Sequence, residues 1–80
     1  MMQISYDADA RATYVRASGS GVAHTIPVSD LVMVDVDRHG APVGVEFLCP
    51  VTHELVERVV ARFPELKEMR EFDGRLIPVH

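Results

Sequence analysis

The sequence predicts an α+β domain: an antiparallel five-stranded meander sheet packed on one face by a C-terminal helical segment. Three observations carry that class. Up to Leu48 the apolar residues recur with period two, in short runs separated by Gly, Ser, Asp and Pro. After Cys49-Pro50 the period changes to that of a helix. The length, 80 residues, supports one modest core and leaves little room for a deep cleft. Residues 1–80 are therefore expected to form a single domain, with the β-meander over 1–49 and a helical segment with a docking tail over 50–80.

In chain order, residues 3–6 read as a first strand and residues 7–11 as a turn. The β-branched and aromatic run 13–17 reads as a second strand. Ser18-Gly19-Ser20-Gly21 is a flexible loop, too short to link two domains. A third strand over 23–28 contains Pro27, which marks an edge or a bulge, and its register with the next strand is open. Residues 31–48 then spell a hairpin. Val32, Val34 and Val36 alternate on one side of the turn, and Val43, Val45 and Phe47 on the other. With the loop at 38–41, Val36 faces Val43, Val34 faces Val45 and Val32 faces Phe47, and one face is core. A slip by one residue would set valines against Gly44 and Glu46, so burial specifies the register.

Thr52 is positioned as an N-cap. Leu55, Val56, Val59, Val60 and Phe63 form a helical stripe opposed by Glu54, Glu57, Arg58 and Arg62. Pro64 ends that helix or starts another, in which Leu66, Met69 and Phe72 recur three apart and Lys67 and Glu71 form an i, i+4 pair. Asp73-Gly74 stops the segment. The apolar tail 75–80 is expected to dock, as an edge strand or as a lid using Leu76, Ile77 and Val79.

The hairpin also imitates a calcium loop. Asp35, Asp37, Gly40 and Glu46 stand at the first, third, sixth and twelfth positions of an EF-hand, with His39 in place of an oxygen ligand. An EF-hand needs a helix on each side, whereas both flanks here alternate and are rich in valine. A solvated turn is the expectation. Cys49 and His53 are separated by Pro50, which prevents one regular helix from aligning them, so Cys49 is read as structural. Four histidines show no zinc-binding spacing. Asp7 and Asp9 lie in a turn, where carboxylates commonly accept from local amides. Tyr6 and Tyr14 are expected to pair on neighbouring strands. No catalytic, cofactor-binding or metal-ligating residue is assigned.

Composition excludes further classes. The formal charge of −4 is spread along the chain without a basic stripe, so nucleic-acid binding is not expected. No apolar run is long enough to span a membrane, and no export signal is visible. One cysteine excludes an intramolecular disulfide and suits the cytoplasm.

Three segments carry a resemblance. The opening Tyr6-Asp7-Ala8-Asp9-Ala10-Arg11-Ala12-Thr13-Tyr14, the turn Val34-Asp35-Val36-Asp37-Arg38-His39-Gly40 and the run Val43-Gly44-Val45-Glu46-Phe47-Leu48 are together similar to the bacterial domain of unknown function 2283 family, over residues 3–49. Arg11 and His39 stand where that family typically has aspartate. The resemblance implies no catalytic residues, and some members are suspected antitoxin-like partners of small toxins.

The expected function is that of a small cytoplasmic interaction module, antitoxin-like or regulatory, working by protein–protein binding and without a cofactor. The alternative is a small metal-dependent or hydrolase-like enzyme with a site at a homodimer interface. On the sheet face away from the Val32/Val34/Val36 core, the hairpin register gathers Leu31, Met33 and Leu48, joined by Val15 if Tyr14 points inward. A single helical layer shields one face only, so these residues are the interface candidates and a homodimer is expected.

Overall fold

The computed structural model describes residues 2–72. Five strands, β1 (Gln3–Asp7), β2 (Ala12–Arg16), β3 (His24–Ser29), β4 (Val32–Val36) and β5 (Pro42–Phe47), precede helix α1 (His53–Arg62) and a 3-10 helix (Pro64–Phe72). Every neighbouring pair of strands is antiparallel, in the order β1-β2-β5-β4-β3. The predicted α+β class holds. The meander is not strictly sequential: hairpin β1–β2 joins the three-stranded meander β3–β4–β5 along β2 and β5.

Residue chemistry accounts for that order. A sequential meander would bury β3 between two neighbours, yet Pro27 has no N–H to give to one of them. β3 therefore takes the edge, with a register shift between Pro27 and Ser29. β5, buried at every position except Glu46, takes the centre between β2 and β4. The loop 17–23 makes the crossing this requires.

The central hairpin keeps the predicted pairs Val32–Phe47 and Val34–Val45. The third pair differs. A bulge sets Val36 opposite Pro42 and leaves Val43 as the extra residue. The turn geometry requires it: Asp37 N–H donates to the Ala41 carbonyl and Gly40 N–H to the Asp37 carbonyl, with Gly40 at φ 82. That tight loop consumes Ala41, and the strand regains register by bulging at Val43.

Thr52 caps α1, its hydroxyl accepting from Leu55 N–H at 3.2 Å. Val56, Val59 and Val60 face the sheet, and Phe63 closes the helix. The following segment is 3-10 and not α. At three residues per turn, Leu66, Met69 and Phe72 line up on one side, where the first two are buried and the third packs at the core margin. Residues four apart do not stack in that geometry, so the expected Lys67–Glu71 pairing loses its basis. Arg70 instead holds Glu57 of α1 through two hydrogen bonds, 2.8 and 2.9 Å. The carboxylate and guanidinium stabilise each other's charged forms, lowering the pKa of Glu57 and raising that of Arg70.

The core lies between this helical layer and one sheet face. Val15, Val32, Val34, Val45 and Phe47 meet Val56, Val59, Val60, Leu66 and Met69 in one cluster. The Asp73-Gly74 stop and the docking tail with Leu76, Ile77 and Val79 lie outside the described residues.

Candidate functional site

Strand alternation assigns the other face of the sheet. Gln3, Ser5, Tyr14, Arg16, Gly44, Glu46, Met33, Asp35, Thr25 and Pro27 occupy it by register, since Val15, Val45 and Val34 face the helices. No helix among the described residues packs on it.

The middle of this face is polar and built around an absent side chain. Gly44 of β5 lies between Arg16 of β2 and Asp35 of β4. A Cβ at Gly44 would fall on the Tyr14 hydroxyl and ring. Tyr14, nominally opposite Glu46, thus lays its phenol across β5 to reach β4. There its hydroxyl donates to Asp35 Oδ2 at 2.9 Å, while Thr25 Oγ1 donates to Asp35 Oδ1 at 2.7 Å. Arg16 stands over the Tyr14 ring, 5.9 Å from its centroid. One carboxylate so ties together side chains from three strands. Partial burial, followed by the hydrogen bond to Asp35 and the charge of Asp35, pushes the Tyr14 pKa up to about 12.

At the β3–β4 turn the face becomes apolar. Leu31 is 47% exposed and Leu48 is 36% exposed. They are adjacent, because Leu48 N–H donates to the Leu31 carbonyl at 2.7 Å. Half-buried Met33 follows on β4, opposite Glu46 and Pro27. Three of the four interface candidates therefore share one end of the open face. Val15 does not. It pairs with Val45 and Ile4 on the helix-covered face and is 1% exposed, because Tyr14 points outward to Asp35.

The same alternation separates the tyrosines expected to pair. Tyr6 is opposite Thr13 and Tyr14 is opposite Ser5, which places the two rings on different faces. Sequence reading missed the Tyr14–Asp35–Thr25 network. Its one signal was Gly44 inside a strand otherwise rich in valine, since such a glycine often marks a close approach and an aromatic neighbour can cover it.

The remaining polar candidates serve the backbone. Asp37 Oδ1 accepts from His39 N–H at 2.8 Å and Ala41 N–H at 3.0 Å. Those amides, first Ala41 and then His39, hold its carboxyl below the usual carboxylate range. Asp7 Oδ1 likewise accepts from the amides of Asp9 and Ala10, in a turn that leaves Arg11 at φ 52. Of the calcium-like residues, Asp35 belongs to the sheet network and Asp37 to the turn. Among the described residues, no group of three or more His, Cys, Asp or Glu is arranged to hold a metal ion. Cys49 is a free, half-buried thiol against the core. A shallow depression of about 480 Å³ separates loop 20–23 from Asp37, Arg38 and His39, and no residue of the network lines it. Among the described residues, no helix is long and apolar enough to cross a membrane.

The family model described as "Protein of unknown function (DUF2283)" matches residues 3–49, more than half of the chain. The chain belongs to this family. The DUF2283 segment contains all five strands and hence the whole Tyr14–Asp35–Thr25 network, whereas α1 and the 3-10 helix follow it. The helical cover of the core is thus supplied from outside the DUF2283 match. No curated protein and no solved structure matches the chain.

Proposed function

We propose that this DUF2283 protein is a cytoplasmic interaction module, of the antitoxin-like or regulatory kind, that binds another protein through the open face of its sheet and performs no turnover. The observation that supports this reading is the apolar end of that face. Leu31 and Leu48 are exposed and adjacent, Met33 lies beside them, and the Tyr14–Asp35–Thr25 network and Glu46 form a polar margin. An apolar centre with a polar margin is the composition of a protein contact, and a methionine there adapts to the shape of what it meets. The ordered network keeps the margin rigid, which limits the entropy lost on binding. Self-association is also part of the proposal.

The test is capture from native lysate of the source cells with the wild-type chain, with Leu31→Glu/Leu48→Glu, and with Arg58→Glu on the exposed side of α1. A stoichiometric protein retained by the wild type and by Arg58→Glu, and lost by the double variant, is the expected result. Equal retention by all three chains would remove the open face from the function.

A further inference from the structure

The two edges of the sheet are built differently. At β3, Pro27 has no N–H to offer, the strand shifts register between Pro27 and Ser29, and the Pro27 carbonyl accepts from Arg62 Nη1 at 3.2 Å. Proline, an irregularity and a covering side chain are the devices by which edges are kept from pairing. At β1, among the described residues, none of them is present: Gln3–Asp7 contains no proline and pairs with β2 in unbroken register over all five residues.

The parity of the ladder shows which groups β1 presents outward. Ala17 N–H donates to the Val43 carbonyl at 2.7 Å, so Val15–Val45 and Thr13–Phe47 are the hydrogen-bonded pairs between β2 and β5. Tyr14, Arg16 and Ala12 must then bond to β1 at Ser5, Gln3 and Asp7. Ile4 and Tyr6 are left with their amides and carbonyls directed away from the sheet.

We propose that β1 pairs with β1 of a second copy of this chain, antiparallel about a two-fold axis at Ser5, so that two domains share one continuous sheet. In this register Ile4 meets the partner's Tyr6, and each such pair exchanges both backbone hydrogen bonds, using the outward groups of both residues. Side chains agree with the same register. Tyr6, 64% exposed in the single chain, lies beside the partner's Ile4 on the helix side and extends the core across the seam. On the open side Gln3 faces the partner's Asp7, and Arg16, opposite Gln3 in the same row, puts a cation on the line that ends at that carboxylate. Ser5 meets its own copy as a small pair without like charges. The contact is isologous and closes at two copies, because among the described residues β1 pairs with β2 alone and has one side left. It leaves Leu31, Met33 and Leu48 uncovered for a different protein.

Cysteine pairing tests the register. In a Cys49→Ser background, Ser5→Cys places two thiols across a non-hydrogen-bonded pair, where Cα atoms are about 4.5 Å apart and a disulfide can close. Gln3→Cys in the same background sets them four residues apart along the strands, about 13 Å, beyond disulfide reach. Mild oxidation should give a covalent dimer from the first and not from the second. Tyr6→Pro removes an outward N–H without taking a bond from β2, and should sediment as a monomer with its thermal transition retained, where the wild type sediments as a dimer. Leu31→Glu/Leu48→Glu should remain dimeric. A monomeric wild type across a wide concentration series, equal cross-linking at positions 5 and 3, or a dimer that survives Tyr6→Pro but is lost in the leucine double variant would each overturn the edge pairing. The last outcome would place the second copy on the open face. Should Tyr6→Pro fail to fold, the cysteine pair still decides.

Discussion

The two faces of the sheet use the same strands for opposite ends. Toward the helices, Val15, Val32, Val34, Val45 and Phe47 are interchangeable in kind: apolar, close-packed and satisfied by contact alone. Toward solvent, Tyr14, Thr25, Asp35 and Gly44 are not interchangeable, because each is required by the position of another. The covered face is held by packing, whereas the open face is held by side chains that fit one another. No described helix covers these hydrogen bonds, and the recognition role proposed above is one that such a face would serve.

Disturbing the covered face should have the largest effect. Val34→Asp places an unpaired carboxylate where exposure is 0%, opposite Val45 and under the helical layer. A buried, unpaired charge costs more than about 4 kcal/mol, comparable with the whole stability of a domain this size. Loss of the cooperative thermal transition is expected; a melting curve like that of the wild type would show that the helical layer does not cover this face.

On the open face, Gly44→Val fills the space the Tyr14 ring occupies. The ring must leave, at the cost of its hydrogen bond to Asp35, about 1 kcal/mol, partly offset by the better strand propensity of valine. Tyr14 offers a sharper readout. Its pKa is raised from 10.0 to about 12, so the folded state keeps a proton that the unfolded state has lost. The resulting stabilisation is present in full below about pH 10 and disappears as pH rises through about 12. Ultraviolet titration of phenolate in a Tyr6→Phe background should therefore report Tyr14 near 12 and find it lowered in Gly44→Val. An unchanged titration would mean that Tyr14 does not depend on the Gly44 gap.

A smaller effect belongs to the hairpin that carries Tyr14. Arg11 has φ 52, a left-handed conformation that costs an ordinary side chain about 1–2 kcal/mol and glycine much less. Arg11→Gly should raise the melting temperature slightly, by up to about 1 kcal/mol of stability after the entropy cost of glycine. Destabilisation would indicate that the Arg11 side chain makes a contact worth more than the strain.

How much of this was legible in the sequence follows from the physics of each element. Val32, Val34, Val45 and Phe47 declared their face because a period of two has only one buried solution, and the Thr52 cap and the Val56/Val59 stripe did so for α1. The three-residue spacing of Leu66, Met69 and Phe72 marks a second helical segment in the sequence, and it fits a 3-10 helix better than an α-helix. Strand order was hidden because β2 and β5 are distant in sequence, yet Pro27 had already argued against a central β3. The bulge at Val43 depended on backbone bonds within a turn, and the Tyr14–Asp35 contact on two strands that sequence alone did not make near neighbours. Residues that fill a shared face or bond within a few positions along the chain were readable; those that act through a partner on a distant strand were not.

We propose that the open face, and not the helical one, receives another protein. Methyl-resolved NMR of the full chain, titrated with the protein captured from lysate, tests it most directly. The Leu31, Met33 and Leu48 methyl signals should shift or broaden on addition, with the amides of Tyr14 and Asp35 following, while Val56 and Val59 stay in place. Perturbations confined to α1 and the 3-10 helix, with Leu31, Met33 and Leu48 unmoved, would contradict it.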